Sequence, residues 1–234
     1  MPGTTRVKSL GLQRTATLCG AVLVVAALAI IWAGRISQGR DMYVSELGAR
    51  GEPTAKWFQF ALLLIVAGGS LIAHAGRGIR CRLRILRTWT PAISIWIGCG
   101  FFLIASQVPC TTGCPLPVGP TFSWQDLVHT SVAVLAFAAA CIGMLQVAFA
   151  VAEPRLAWFS LAAALSVAVV AGAGGMLSLL RFQANIGSRF ELLATTLALG
   201  WLLTLGVILF RRMMRPPAVL PVAVVLPRVD FPLA

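Results

Sequence analysis

Charge is what this chain has least of. Only 11% of its 234 residues are charged and 59% are hydrophobic; soluble domains carry about 25% and about 45–50%. That shortage excludes an ordinary soluble globule and a disordered chain. Acids are scarcest, with 7 Asp+Glu against 19 Lys+Arg and a formal net charge of +12. Such an excess in a soluble domain would point to nucleic acid, but here no soluble module remains to bind it. Tyrosine occurs once, at Tyr43, and histidine twice, at His74 and His129. Two histidines leave little room for a histidine-rich metal centre. Gly-Lys phosphate loops, His-Glu-x-x-His zinc helices and Gly-x-Ser-x-Gly elbows are all missing. No Asp, Glu, Lys or Arg falls near the middle of an apolar run, which disfavours an ion-coupled transporter.

Long hydrophobic runs are what the chain has instead. A spanning helix needs about 20 apolar residues to cross about 30 Å of hydrocarbon. Stretches at about 16–33, 56–75, 88–107, 126–152, 156–180 and 191–210 meet that test. The expected fold is therefore all-α, a bundle of six transmembrane helices over 16–210. It lies between an N-terminal segment, 1–15, and a Pro-rich tail, 211–234. The first run is too long for a signal peptide and lacks a small-residue cleavage site, so it is expected to remain as a span. Glycines inside the runs, including Gly68, Gly98 and the Gly172–Gly175 stretch, suit close helix contacts.

Basic residues alternate between loops. Arg6, Lys8 and Arg14, then Arg77 to Arg87, then Arg155, then Arg211 to Arg228 fall on one side. The positive-inside rule makes that side, and both termini, cytoplasmic. Arginine far outnumbers lysine, which is only Lys8 and Lys56; with the Ala/Val/Leu/Gly richness this reads as a GC-rich bacterial composition. The expected location is a bacterial plasma membrane, crossed several times. Glu153-Pro154-Arg155 is a short turn, so the fourth and fifth helices are expected to be antiparallel neighbours.

The chemistry collects at the opposite, outer face. The first outer loop carries Tyr43, Ser45, Glu46 and Arg50 and reads either as a solvated loop with internal ion pairs or as a headgroup-binding loop. The second has no Lys or Arg and contains Cys110-Thr111-Thr112-Gly113-Cys114. These two cysteines suit a small disulfide on an oxidising side; zinc is the rival, although no histidine lies in the same loop. Ser123 with Asp126, and Ser188 with Glu191, have capping-box spacing. His129 lies three residues after Asp126 and so shares its helix face. It reads as a hydrogen-bonded structural histidine or as a headgroup, metal or proton-transfer group. Gln146, deep in the fourth span, is expected to bond between helices.

Two segments carry a resemblance. Ser45-Glu46-Leu47-Gly48 before the second span, and Cys110-Thr111-Thr112-Gly113-Cys114-Pro115 followed by His129, resemble motifs of the bacterial domain-of-unknown-function-998 family. The first cysteine stands one residue further from Gly-Cys-Pro than in that family's pattern. The resemblance covers most of the six-span region and implies a membrane protein of six or seven helices, distantly akin to Frag1/DRAM/Sfk1-type proteins. It implies no reaction. The leading expectation is a non-enzymatic membrane protein without a cofactor. Its outer loops close the extracytoplasmic end, and Glu46, Arg50, Asp126, His129 and Arg189 bind a lipid headgroup or a membrane partner. That partner is another membrane protein or a second copy. The alternatives are an intramembrane lipid-modifying enzyme using Asp126, His129 and Glu46 with a metal or as acid and base, and a small transporter.

Overall fold

A computed structural model describes residues 3–82, 84, 89–115, 119–150, 153–180 and 184–214. The Pro-rich tail beyond 214, Arg87 and Arg181 lie outside the described residues. Six helices follow in chain order: α1 Gly3–Ser37, α2 Ala55–Ala75, α3 Pro91–Gln107, α4 Trp124–Ala148, α5 Pro154–Leu179 and α6 Ala184–Met214. Short 3₁₀ turns occupy Ser45–Gly48 and Gly119–Thr121, and no strand occurs among the described residues. Five helices are long and apolar enough to cross a membrane.

The third expected span is shorter than its apolar run. Thr90 is extended and its hydroxyl accepts the Ile93 N–H, while Pro91 takes the first helical position. This cap starts α3 at residue 91 instead of 88 and leaves 17 residues, about 25 Å of helix. Other boundaries also move: α4 ends at Ala148, and α6 runs on to Met214, into the segment expected as the tail. Helix α1 runs back through the expected N-terminal segment to Gly3. Helix α6 begins at Ala184, so Ser188 and Glu191 lie inside it and do not cap it. The Ser188 hydroxyl donates to the Asn185 carbonyl within the helix instead.

Consecutive helices are antiparallel neighbours, and α6 returns to α1 to close a ring. Ser70 and Trp96 meet at one end of the α2–α3 pair and Gln59 and Ser106 at the other. Ser94 bonds Gln146, and Val108 bonds His129, at opposite ends of α3–α4. Cys141 of α4 lies against Ala164 of α5, consistent with the short turn between them. Arg14 donates to the Met213 carbonyl and, further along the pair, Trp32 donates to Thr196, so the early turns of α1 and the end of α6 share one end of the bundle.

Small residues permit this packing. Gly20 and Gly68 face each other, and a Cβ on Gly68 would stand 2.7 Å from the Gly20 carbonyl oxygen. Gly69 leaves a similar gap for the Cys99 sulfur, and Gly98 approaches the Ala136 carbonyl. In the Gly172–Gly175 stretch only Gly174 makes a close approach, to Phe190; Gly172 and Gly175 have nothing within 4 Å. Polar side chains in the core are paired. Ser94 donates to Gln146 at 2.7 Å, Gln146 donates to the Trp89 carbonyl, and Trp201 donates to Ser160 at 3.0 Å. The outward faces carry Val22, Val25, Phe60, Leu63, Val134, Leu165 and Val169, all exposed. A ring that is buried inside and apolar outside is the pattern of a protein in lipid.

Gly68→Val should destabilise the α1–α2 pair by about 1–3 kcal/mol, the usual cost of overpacking. Gly100→Ala, with nothing within 4 Å, should be neutral or slightly stabilising. Thermal unfolding of the two variants in detergent checks the contrast.

Candidate functional site

At the end of the bundle opposite Arg14 and Met213, the loops after α1 and α3 meet α6 and α4. Residues 38–54 hold a 3₁₀ turn with Leu47 and Gly48 buried, and Met42, Val44 and Ala49 are buried beside it. Such a turn leaves its first N–H groups without internal partners. Two carboxylates supply them. Glu46 accepts the Tyr43 N–H at 2.7 Å. Glu191, reaching from α6, accepts the Val44 N–H at 2.6 Å and the Ser45 N–H at 3.3 Å. Glu191 is thus a cap, but of a turn 147 residues earlier. The Tyr43 hydroxyl accepts from Ser178 of α5 at 2.7 Å and fills the space beside Gly187, where a Cβ would meet it at 2.6 Å.

The turn in its place holds the second loop. The Arg50 N–H donates to the Cys110 carbonyl and the Thr112 hydroxyl donates to the Arg50 carbonyl, both at 3.0 Å. Cys110 and Cys114 form a disulfide with Cα atoms 5.1 Å apart, within the usual range. The intervening β-turn is closed by the Cys114 N–H donating to the Thr111 carbonyl at 2.9 Å. Gly113, at the third position, has φ +78°, a left-handed value that favours glycine there. The Cys110 sulfur lies 3.6 Å from the Ser45 carbonyl oxygen.

Helix α4 locks this loop from the other side. Ser123 caps α4 by accepting the Asp126 N–H at 3.0 Å. Asp126 accepts the Thr111 N–H and the Thr111 hydroxyl, both at 2.8 Å, as well as the Ser123 hydroxyl. One turn on, His129 bonds the Val108 carbonyl through Nδ1 at 2.7 Å. The i, i+3 spacing therefore has a structural account: Asp126 holds Thr111, just after the first cysteine, and His129 holds Val108, two residues before it. Cys110, Cys114 and His129 bring their ligand atoms within 4.8 Å of one another.

The expected five-residue cluster is only partly assembled. Arg189 is paired with Asp41 at 2.9 Å, and Asp41 also binds Arg35 at 2.6 Å. One Glu46 oxygen and both Asp126 oxygens accept from loop groups. Glu46, Asp126 and His129 do not bring their ligand atoms close enough together to share a metal ion among the described residues. Arg50 and His129 do come together. They line a groove of about 140 Å³ with Lys56, Gln59, Ser106 and Pro109. His129 also borders an apolar cavity of about 60 Å³ inside the ring, with Phe58, Phe102, Phe137, Glu191 and Leu199. Among the described residues, Arg50 and Lys56 have no acidic partner within 4 Å. Lys56 was not among the expected site residues; its signal was a rare lysine beside Trp57 at the mouth of a span.

The fold and this site define a multi-pass helical membrane protein with a loop-and-histidine cluster at one end. Residues 17–208 match the family described as "Protein of unknown function (DUF998)", and the chain belongs to that family. No curated protein and no solved structure matches the chain.

Replacing Glu191 by Ala orphans two loop N–H groups and should cost about 2–6 kcal/mol, at about 1–3 kcal/mol per unsatisfied buried group. Glu191→Gln, which keeps one acceptor oxygen, should cost less; thermal unfolding ranks the two. A pH effect of opposite signs is expected nearby. The hydrogen bonds from Arg189 and then Arg35 hold the Asp41 carboxyl below its ordinary value of 3.8, so its stabilisation is complete above that pH and is lost on further acidification. Burial raises Glu46 above 4.5 against the opposing Tyr43 N–H bond, so its contribution is complete below 4.5 and is lost as pH rises through the folded value. In a melting series across this range, Asp41→Asn should flatten the acid limb and Glu46→Gln the limb above it.

Proposed function

We propose that this protein is a non-enzymatic membrane protein that binds an anionic phospholipid headgroup in the groove between the first outer loop, α2 and α3. The observation that carries this reading is the partition of charge. The acids Asp41, Glu46, Glu52, Asp126 and Glu191 are engaged by loop atoms or arginines, while Arg50 and Lys56 are left facing one groove with His129. A phosphate is the complementary ligand for two cations and an imidazole at an interface. Trp57, 64% exposed beside Lys56, and Trp124, 73% exposed at the start of α4, suit an aromatic belt at headgroup level.

In this reading α3 crosses the bilayer as a sixth span, its 17 residues matched by modest local thinning. The end bearing Arg14, Arg77 and Arg212 faces the cytoplasm of a bacterial cell, and the two outer loops cover the far end of the bundle. Neighbouring helices of another membrane protein or of a second copy can share the same belt; nucleic acid has no role.

Native mass spectrometry of the full chain, released from bilayers of mixed phosphatidylglycerol and phosphatidylcholine, tests the proposal. Phosphatidylglycerol should be retained preferentially. Each of Arg50→Ala and Lys56→Ala should reduce that preference about fivefold, at about 1 kcal/mol per basic residue near the surface. Equal retention of the two lipids, or a preference that survives the double substitution, would overturn the reading.

A further inference from the structure

We infer that the Cys110–Cys114 loop and His129 form a redox-gated site for a thiophilic metal ion such as Zn²⁺, available when the disulfide is reduced. The two cysteines alone would not make a zinc centre, and in sequence no histidine lies near them. The fold supplies the missing donor. Helix α4 delivers His129 to the loop, and the three ligand atoms lie within 4.8 Å of one another. Tetrahedral zinc, with bonds of about 2.3 Å to sulfur and about 2.0–2.1 Å to nitrogen, needs donors about 3.5–3.8 Å apart. Small side-chain rotations reach that spacing once the sulfurs are no longer bonded to each other.

Three further features match what such a site requires. His129 is buried, its Nδ1 is held by the Val108 carbonyl, and the Ala105 carbonyl also lies beside the ring; Nε2 is the nitrogen assigned to the metal. A backbone carbonyl on the second ring nitrogen is the common orienting contact of a metal-bound histidine. Asp126 clamps Thr111 through both its N–H and its hydroxyl, so the loop keeps its position whether or not the sulfurs are joined. Two thiolates and one imidazole are a donor set that zinc favours over magnesium or calcium. The fourth position is open to water or to an outside ligand.

The chemistry balances. A trialkylphosphine and one water convert the disulfide to two thiols and the phosphine oxide. A dithiol donor does the same with two electrons and two protons, becoming its own disulfide. Zn²⁺ then displaces both thiol protons to solvent. In the oxidised form both sulfurs are committed to each other and the site does not exist.

The test uses the full chain in detergent, treated with a trialkylphosphine and freed of metal, then titrated with Zn²⁺ against a chromophoric chelator and, separately, with Co²⁺. Reduced protein should take up one Zn²⁺ more per chain than the Cys110→Ser/Cys114→Ser variant, which controls for Cys19, Cys81, Cys99 and Cys141. Its Co²⁺ form should show thiolate charge-transfer absorption with tetrahedral d–d bands. Untreated protein should show neither. Cys114→Ser and His129→Ala should each weaken Zn²⁺ at least tenfold, and His129→Ala should also alter the Co²⁺ d–d bands, which a merely structural histidine would not do. Uptake equal to that of the double variant, a Co²⁺ spectrum indifferent to His129, or loss of the helical fold on reduction would each overturn the inference. Phosphatidylglycerol retention by Cys114→Ser is independent of these results, so this inference and the headgroup reading can fail separately.

Discussion

The Glu191 carboxylate is the point from which the loop-bearing end of this molecule is built. It is the acid of a transmembrane helix, yet both its oxygens serve a loop, accepting the N–H groups of Val44 and Ser45. Burying a loop against an apolar bundle is costly unless its backbone is paired. With that pairing made, the 3₁₀ turn seats Leu47 in the core. Arg50 is then positioned to hold Cys110, and the cysteine loop lies against Thr111's partner Asp126 and beside His129. Each step needs the one before it, and the sequence separations are long, so the site is a product of the closed helix ring and not of any one motif.

Lipid also explains why the polar groups are sorted as they are. Inside the ring, apolar side chains gain nothing over lipid tails from mere burial, so helix association relies on close approach and interhelical bonds. Gly20 with Gly68, Gly69 with Cys99, and Ser94 with Gln146 provide both. Among the described residues, charges gather toward the ends, with Glu191 alone bordering the interior cavity. At the site end the arginines Arg35, Arg40 and Arg189 meet Asp41 and Glu52, which ties α1 and α6 to the first loop. At the other end Arg212 meets Glu153.

Much of this was legible in the chain. The apolar runs located the helices because a bilayer sets a length that few soluble segments reach. Ser123 announced the start of α4, and the spacing of Asp126 and His129 placed them on one face. The disulfide followed from two cysteines around a glycine turn. What escaped was non-local. Thr90 and Pro91 shorten α3, a local signal that the continuing apolar composition around it concealed. Ser188 and Glu191 have the spacing of a capping box, but the helix starts earlier, because the competing structure for Glu191 is a turn brought close by folding alone. Lys56 gained its place in the groove from the approach of Arg50 and His129, which no spacing in the sequence encodes.

The two roles proposed for the loop-bearing end meet at His129, and electrostatics separates them. A disulfide is neutral, and two thiolates with one divalent cation are neutral as well. Exchanging one for the other therefore leaves the field of Arg50 and Lys56 unchanged to first order. What changes is the imidazole, whose second nitrogen is committed to the metal only when the sulfurs are not joined. Any coupling between the sulfur chemistry and the groove must then pass through the direction of one ring, not through charge. This is consistent with a fold that fixes Nδ1 on a backbone carbonyl and surrounds the ring with residues of the groove on one side and of the interior cavity on the other.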